Sequence, residues 1–266
     1  MKFSIIVVCL NPGDKLEQTL TNILGQSYTD YEIVIKDGGS KDGSLDLVKE
    51  KFHDQRICIY EERDRSIYNA MNQAVGHAKG EFVIFMNCGD MFYSKDVLKK
   101  AAAQIENHPH PENLVLYGDP YGEKNDVMIA APPVINGFTC YRNIPCHQAC
   151  IYAAGLCKGK PFTESYKIRA DYDHFLWCYY VSKADMVYLD FPVASYEGGG
   201  YSESKANRKR DKEEHRQITN AYMSKGELLR YRGIMLLTLA PLRSFMAENA
   251  LLSGFYHGLK KLVYRR

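Results

Sequence analysis

The sequence predicts an α/β fold in which a mainly parallel central sheet is flanked by helices and followed by a C-terminal helical extension. Strand-like and helix-like patterns alternate over residues 3–100, which is typical of a parallel sheet with right-handed crossovers. Residues 81–86 are apolar on both faces, as a parallel strand covered by helices requires. From residue 205 onward the chain becomes basic and amphipathic. We therefore expect a domain at residues 1–204 and an extension at residues 205–266.

The individual elements are predicted from β-branched runs, helical periodicity, and stops at glycine or proline. Gly25 and Gly80 end the first and third helices, and Ser44 is the expected N-cap of the second. In the second half the pattern is weaker, and Pro132 and Pro133 interrupt it. The predicted strands are residues 2–9, 31–36, 57–61, 81–86, 114–117 and 127–131, and the predicted helices are residues 16–24, 44–52, 67–79 and 175–181.

Three of these strands lead into loops that carry an acid, namely Asp37, Asp64 and Asp90. If the strands lie side by side, the acids meet at one edge of the sheet, where ligands bind in open α/β folds. Carboxylates at such an edge can hold a divalent cation, and the cation can hold a diphosphate. As a loop acid, Asp37 is expected to face solvent. The alternative is three unrelated polar turns, with Asp90 as a cap.

Other sequence features exclude several classes of protein. Neither G-x-G-x-x-G nor G-x-x-x-x-G-K-[ST] occurs, which excludes a dinucleotide-binding fingerprint and a P-loop. The eight cysteines include no C-x-x-C pair and fit a reducing cytoplasm. No signal-peptide pattern occurs, and no apolar run approaches the roughly 18–20 residues that span a bilayer. We expect a cytoplasmic protein without a zinc site, although five residues cluster in a way that suggests one: Cys140, Cys146, His147, Cys150 and Cys157.

Five short segments carry a family resemblance: residues 5–11 (IIVVCLN), 26–28 (QSY), 31–44 (YEIVIKDGGSKDGS), 64–72 (DRSIYNAMN) and 87–90 (NCGD). Together they resemble family 2 glycosyltransferases, and the fourth is close to a variant found in bacterial capsule and exopolysaccharide enzymes. The resemblance covers about residues 3–200. It implies the GT-A fold, a single α/β domain that binds a nucleotide-diphospho-sugar.

The resemblance also implies which residues bind this donor. Asp37 would accept a hydrogen bond from a ring nitrogen of the base, and Asn11 would form part of the base pocket. Asp64 and Arg65 would lie beside the base and the diphosphate. His147 would contact the donor phosphate or the acceptor, with a purely structural role as the alternative.

The segment Asn87-Cys88-Gly89-Asp90 occupies the place of the family's D-x-D-type metal motif. It departs from the stronger form of that motif, because only Asp90 keeps a carboxylate. The resemblance then implies Mg²⁺ or Mn²⁺ held by Asp90, diphosphate oxygens and water, with Asn87 beside the nucleotide sugar. Magnesium accepts such a site, since it retains waters and often uses one or two carboxylates.

Asp171 is the catalytic base that the resemblance implies, because Ala170-Asp171 stands where the family has Glu-Asp. Inverting transfer needs a carboxylate that removes the proton of the acceptor hydroxyl. Asp173 is the alternative base, and a helix N-cap role for Asp171 is compatible with the catalytic one. The glycine-rich residues 197–202 resemble a family loop that closes over the donor.

The extension differs from the rest of the chain in charge. Residues 205–266 contain 14 Lys and Arg against 5 Asp and Glu, a net charge of +9, so residues 1–204 carry −7 of the total of +2. Residues 205–223 predict a charged helix with a solvated face, whereas residues 227–240 and 243–266 mix apolar and basic residues. Basic amphipathic helices bind anionic membrane surfaces. The alternative is a helical hairpin packed on the domain or on a second subunit.

From residues and resemblance together we expect a metal-dependent, inverting glycosyltransferase of the hexosyltransferase type that acts in bacterial surface polysaccharide biosynthesis. Its expected partners are a nucleotide-diphospho-sugar and a glycan or lipid-linked acceptor at the inner face of the cytoplasmic membrane, with no nucleic acid. A sugar-phosphate nucleotidyltransferase and a non-catalytic nucleotide- or carbohydrate-binding module are the alternatives. The former should begin with a G-x-G-T-R-type loop, which residues 10–13 are not.

Overall fold

The computed structural model describes residues 1–196 and 207–238 of the chain. Within these ranges the strands are β1 (Phe3–Cys9), β2 (Tyr31–Asp37), β3 (Ile57–Glu61), β4 (Phe82–Phe85), β5 (Met91–Phe92), β6 (Leu114–Gly122), β7 (Val127–Met128), β8 (Cys150–Ala153) and β9 (Asp185–Tyr196). The helices are α1 (Lys15–Leu24), α2 (Ser44–Lys51), α3 (Ile67–His77), α4 (Val97–Glu106), α5 (Gly137–Arg142), α6 (Ala154–Gly159), α7 (Ala170–Tyr180), α8 (Arg208–Tyr222) and α9 (Lys225–Leu237).

All described strands belong to one sheet with the order β3-β2-β1-β4-β8-β6-β9-β5, and β7 pairs with β6. The first four strands in this order run parallel to one another. Strand β8 then pairs antiparallel with β4 and with β6, while β6 and β9 are parallel. The alternating α/β pattern of the first half of the sequence is therefore confirmed.

The parallel half of the sheet forms the centre of the core. Every residue of β1, β2 and β4 is buried, because helices or loops cover both faces. In the β1–β2 ladder Cys9 lies opposite Asp37, and in the β1–β4 ladder Ile6 lies opposite Phe85. The loops that follow β1, β2, β3 and β4 consequently begin at the same edge of the sheet.

One glycine shows how closely the chain passes over this core at the start of β4. A Cβ atom at Gly80 would lie 2.5 Å from the backbone of Phe3 and Ser4, so no other residue fits there without a backbone shift. The Gly80 amide donates to the Ser4 hydroxyl at 2.8 Å, and that hydroxyl donates to the buried Glu32 carboxylate at 2.6 Å. These bonds satisfy polar groups that would otherwise be costly in a dry core.

Several predicted boundaries differ from the observed ones. Helix α2 begins at Ser44 and its N-cap is Gly43, whose φ of +79° favours glycine. Helix α3 ends at His77, two residues before the predicted end, and only Val127–Met128 of the predicted strand at 127–131 is a strand. Helix α7 begins at Ala170 rather than near residue 175. The prediction placed the start too late because the first turn is polar and lacks the apolar pattern of the rest of the helix.

Near its C-terminus the chain divides after Ile218 into two compact units, Met1–Ile218 and Thr219–Arg266. The domain boundary at residue 204 stays a prediction, since it rests on composition and not on contacts. The predicted solvated helix is α8, but it buries Glu214 and Ile218, so one of its faces is not solvated. In the part of the chain that is described, no helix combines the length and the apolar character that crossing a bilayer demands.

The glycine-rich segment at residues 197–202, predicted to close over a donor, lies outside the described residues. The same holds for residues 203–206 and 239–266, which include the whole of the second predicted amphipathic stretch, residues 243–266. In the described part of the second unit, α9 begins with a capping box in which Ser224 and Glu227 each bind the other's backbone or side chain.

Candidate functional site

Asp37, the last residue of β2, is buried and not solvent-facing, so that expectation is wrong. One oxygen of its carboxylate accepts the backbone amides of Gly39 and Ser40, each at 2.8 Å, and the other accepts the Ser40 hydroxyl. Burial alone would raise the pKa of Asp37, but these hydrogen bonds outweigh it and hold the pKa below its usual value. Asp37 is thus a carboxylate that shapes the loop after β2.

Asn11, after β1, joins this loop from the neighbouring strand. The backbone amide of Asn11 donates to the Ser40 hydroxyl at 2.8 Å, and the side-chain oxygen of Asn11 accepts a hydrogen bond from the Lys41 backbone amide at 2.8 Å. A φ of +48°, which asparagine tolerates better than most residues, allows this turn. Asn11 and Asp37 therefore lie on two sides of Ser40, in one rigid corner at the edge of the sheet.

Asp64, predicted to bind the nucleotide, pairs with a residue that the sequence did not single out. The ammonium of Lys36, on β2, lies 2.5 Å from Asp64 Oδ2, and the Lys36 side chain is fully buried. A Cβ atom on Gly38 would come within 2.6 Å of that same oxygen, so the pair occupies the space that a larger residue would need. The available signal for a buried ion pair was a lysine that directly follows an apolar run, residues 33–35, in a predicted strand.

Arg65 lies apart from this cluster. Its side chain is 81% exposed, and its guanidinium pairs with Glu164 at 3.0 Å. Glu164 also accepts a hydrogen bond from the Asn69 side chain at 2.8 Å, so it anchors the start of α3. The predicted contact of Arg65 with a base or diphosphate stays a prediction.

The loop after β4 presents Asn87 and Asp90. The Asp90 amide donates to the Asn87 carbonyl at 2.8 Å, and Gly89, at a φ of +96°, closes the turn between them. Because β5 follows immediately and α4 begins only at Val97, Asp90 is not a helix cap. That alternative is wrong.

The polar groups of this turn are buried and incompletely paired. Burial raises the pKa of Asp90 to about 6, against the opposing effects of His147, a hydrogen bond from Gln148, and Lys15. The side-chain oxygen of Asn87 is buried and has no hydrogen-bond partner among the described residues. In the described ranges no three His, Cys, Asp or Glu side chains come together as a metal-binding group. This turn therefore brings together the carboxylate of Asp90 and a side-chain oxygen of Asn87 that has no hydrogen-bond partner among the described residues.

His147 and Asp171 form an ion pair next to this turn. His147 Nδ1 lies 3.5 Å from Asp171 Oδ2, and Asn87 Nδ2 lies 3.4 Å from His147 Nε2. Burial alone would lower the pKa of His147, but the hydrogen bond to Asp171 and the charges of Asp171 and Asp90 raise it. Burial would likewise raise the pKa of Asp171, but His147 holds it below its usual value. The two shifts agree, and each side chain keeps 22% of its surface exposed.

Asp173 occupies a different environment from Asp171. It is 5% exposed, and one of its oxygens accepts the Lys160 ammonium at 2.8 Å and the Thr163 hydroxyl at 2.7 Å. Asp171 is the second residue of α7, whose N-cap position is Arg169, so the N-cap interpretation of Asp171 is wrong. The Asp171 carboxylate also lies 3.2 Å from the Tyr68 hydroxyl, a contact that no sequence signal indicated.

The chain matches known proteins along most of its length. Residues 4–128 match the family model described as Glycosyl transferase family 2. A PGL/p-HBAD biosynthesis glycosyltransferase of Mycobacterium bovis is 34% identical over 204 residues, which are 75% of this chain and 78% of the relative. WfaP of Escherichia coli, a UDP-Glc:alpha-D-GlcNAc-diphosphoundecaprenol beta-1,3-glucosyltransferase, is 30% identical over 68% of this chain and 70% of its own.

Solved structures give the same result for the fold. Residues 1–349 of Staphylococcus aureus TarS in complex with UDP match with a TM-score of 0.63 and 25% identity over 74% of this chain and 61% of that one. A mannosyltransferase from Pyrobaculum calidifontis in complex with GDP-Man and Mn²⁺ matches with a TM-score of 0.64, 15% identity, and coverage of 100% and 88%. The predicted GT-A fold class is confirmed.

The buried pair of Lys36 and Asp64 yields a test of how this corner is held. The Asp64→Asn substitution leaves the Lys36 ammonium buried without a counter-charge, and we expect it to cost about 3–5 kcal/mol of the free energy of unfolding. The double variant Lys36→Met/Asp64→Asn buries no charge and should recover most of that loss. Urea denaturation of both measures the difference.

The exposed pair of Lys49 and Glu61 provides the control for that test. Both side chains are largely exposed, so Glu61→Gln should cost less than about 1 kcal/mol. An Asp64→Asn variant as stable as Glu61→Gln would mean that the Lys36–Asp64 pair does not hold the corner.

Proposed function

The chain belongs to glycosyl transferase family 2, and we propose that it transfers a sugar, with inversion, from a nucleotide-diphospho-sugar to a glycan or lipid-linked acceptor in bacterial surface polysaccharide biosynthesis. One observation carries this proposal: the Asp171–His147 pair lies beside Asn87 and Asp90. A carboxylate base thus stands next to the oxygens suited to a donor's metal and diphosphate.

The corner formed by Asn11 and Asp37 is the proposed pocket for the nucleobase of the donor. The loop of this corner is already ordered by hydrogen bonds, so the nucleobase would enter a preformed site. Asp64 and Arg65 would bind on the neighbouring side. The names of WfaP, with UDP-Glc, and of the TarS complex with UDP support a uridine nucleotide.

Asn87 and Asp90 fit a divalent cation. Both offer oxygen, the donor that Mg²⁺ and Mn²⁺ prefer, and the Asn87 oxygen lacks a protein partner in the described structure. One carboxylate and one amide do not complete a coordination sphere, so diphosphate oxygens and water would supply the rest. When bound, the cation would stabilise the charge that develops on the leaving diphosphate.

Asp171 is the proposed base. It would take the proton of the acceptor hydroxyl, whose oxygen forms a bond to the anomeric carbon. The bond from that carbon to the diphosphate breaks on the opposite face, and its electron pair leaves with the nucleoside diphosphate. His147 would keep Asp171 ionised and oriented, since the pair lowers the pKa of Asp171.

The described part of the extension supports contact with a membrane surface. On α9, Leu229, Leu236 and Leu237 are 74%, 67% and 86% exposed, and Arg230 and Arg232 are exposed beside them. Apolar and basic side chains in this combination favour an anionic lipid surface. Such contact would suit a lipid-linked acceptor, as the name of WfaP indicates for that relative.

Asp171→Asn should lower turnover by roughly 10²–10⁴-fold while nucleotide-sugar affinity stays near that of the unmodified protein, because the amide keeps the shape and loses the proton acceptor. Asp173→Asn should reduce stability through its lost ion pair with Lys160 but retain turnover per folded molecule. Steady-state kinetics with a panel of nucleotide sugars, together with calorimetric donor affinity, separate the two. An inactive Asp173→Asn beside an active Asp171→Asn would reassign the base.

Uridine or guanosine diphosphate should raise the melting temperature only when Mg²⁺ or Mn²⁺ is added, since Asp90 is the single carboxylate of the motif. Asp90→Asn should remove this cation dependence. Glu17→Gln, which changes a carboxylate that already pairs with Lys51 on the surface, is the matched control. Full cation-dependent stabilisation of the Asp90→Asn variant would show that the metal assignment is wrong.

Replacement of the three exposed leucines of α9 by glutamine in the full chain should release the protein from anionic liposomes without unfolding it, because exposed positions tolerate polar residues. Binding of the unmodified protein should weaken with salt, since the attraction is screened beyond about 8 Å at physiological ionic strength. Liposome co-sedimentation measures both effects. If the unmodified protein stays off anionic liposomes even at low salt, the extension packs on protein instead.

A further inference from the structure

Helix α8 directs one face toward the start of α7. Asp211, Glu214, His215 and Ile218 recur at i, i+3, i+4 and i+7, which places them on one side of a helix. On this side Glu214 is 6% exposed and Ile218 is fully buried, both within the first compact unit. The helix that was predicted to be charged with a solvated face therefore also has a buried polar face.

Glu214 holds the turn that precedes the proposed base. Its carboxylate accepts three consecutive backbone amides: Lys167 at 2.8 Å, Ile168 at 3.0 Å and Arg169 at 2.9 Å. An ionised acceptor with several backbone donors makes strong hydrogen bonds, and these three lock the backbone two residues before Asp171. The position of the base thus depends on a side chain of α8.

Two further contacts of the same face flank the base. The Asp211 carboxylate accepts two hydrogen bonds from the Arg169 guanidinium, at 2.7 and 3.0 Å. The His215 ring stacks on Tyr172 with a centroid distance of 5.3 Å, and its Nε2 lies 2.7 Å from the Tyr141 carbonyl. Both neighbours of the Ala170-Asp171 dipeptide are therefore held by α8.

A cavity of about 250 Å³ lies at this junction, and Asp171 forms part of its wall. Its volume is below the roughly 300–1,000 Å³ of pockets for drug-sized ligands, which suits a single ring. The rest of the lining combines hydrogen-bonding groups of Asn143, Arg169 and Asp211 with the apolar or aromatic surfaces of Ile144, Ile168 and Tyr172. Because the cavity contains the carboxylates of Asp171 and Asp211 but only one guanidinium, that of Arg169, it disfavours an anionic ligand.

We propose that this cavity is the acceptor subsite, that it takes one neutral, hydroxyl-rich sugar ring, and that the first half of α8 builds it. The proposal rests on the proposed function, because it takes Asp171 as the base. Polar hydroxyls would face Asn143, Arg169 and Asp211, and the apolar face of the ring would lie against Ile144 and Tyr172. A hydroxyl directed at the wall would meet Asp171. Glu214 is then a positioning residue, and Asp211 a binding residue.

The first test fills the cavity. Asn143 is exposed at the rim, so Asn143→Trp should fold normally and obstruct the ring. With the full-length protein, transfer from a panel of UDP-sugars and GDP-mannose to p-nitrophenyl hexopyranosides should show an acceptor KM raised about tenfold or more, as expected for the loss of one or two hydrogen-bonded contacts. Affinity for UDP or GDP should not change. Arg142→Trp, at the exposed neighbour that does not line the cavity, is the control.

The second test separates positioning from folding. In Glu214→Gln an amide group would face three backbone donors, so the turn before Asp171 should shift. We expect kcat to fall by up to about 10²-fold, the cost of a small misplacement, with the acceptor KM and nucleotide affinity retained. Glu213→Gln, at the exposed adjacent residue, should behave as the unmodified protein.

The outcomes are distinct. An Asn143→Trp variant with an unchanged acceptor KM overturns the cavity assignment, as does an unmodified protein that transfers sugar but to no single-ring acceptor. A Glu214→Gln variant that loses nucleotide affinity together with turnover shows a merely structural α8 and overturns the positioning role. If the unmodified protein transfers from no nucleotide sugar, the proposed function itself fails and the inference fails with it.

Discussion

The parallel pairing of β1 with β2 and β4 is the constraint on which the rest of the structure depends. These strands are buried on both faces, so their backbone groups must bind one another. Their side chains are mostly apolar, and the buried charged ones, such as Glu32 and Lys36, need partners. The acidic side chains that are candidates for ligand binding therefore lie at the ends of the strands. Because parallel strands end at the same edge, the loops that carry Asp37, Asp64 and Asp90 all begin there.

Burial at this edge requires that charges be compensated, and each charge is compensated in a different way. Asp37 receives backbone amides, Lys36 has Asp64, and Asp171 has His147. Asp90 is the exception, since burial raises its pKa to about 6 despite its neighbours. An incompletely compensated acid beside the unpartnered oxygen of Asn87 is the arrangement that a cation with a diphosphate would complete.

The proposed base, Asp171, is supported by a helix that follows it in the chain, α8. Asp171 lies near the start of α7, where the backbone has few partners of its own. Helix α8 supplies Glu214 to the backbone amides just before α7, and Asp211 to the Arg169 guanidinium. A helix beyond the predicted domain boundary thus contributes to the geometry of the site. In a transferase of this kind, variation in such a helix would alter the acceptor without altering the donor pocket.

The sequence by itself determined the alternation of strands and helices in the first half, the GT-A class, and the acids at the strand ends. The alternation follows from periodicity, which depends on nearby residues alone, whereas the GT-A class follows from the resemblance of short motifs to family 2 glycosyltransferases. It also singled out His147 and Asp171, but not their contact, because the two are brought together only when β8 and α7 fold onto the sheet.

Other features were decided by tertiary structure alone. The burial of Asp37 depends on a loop that folds back over its carboxylate, and the pairing of Lys36 with Asp64 joins β2 to the loop after β3. The polar face of α8 carries one apolar residue, Ile218, among charged ones, so hydrophobic periodicity could not reveal it. Charged side chains bury only against specific partners, and those partners are distant in the sequence.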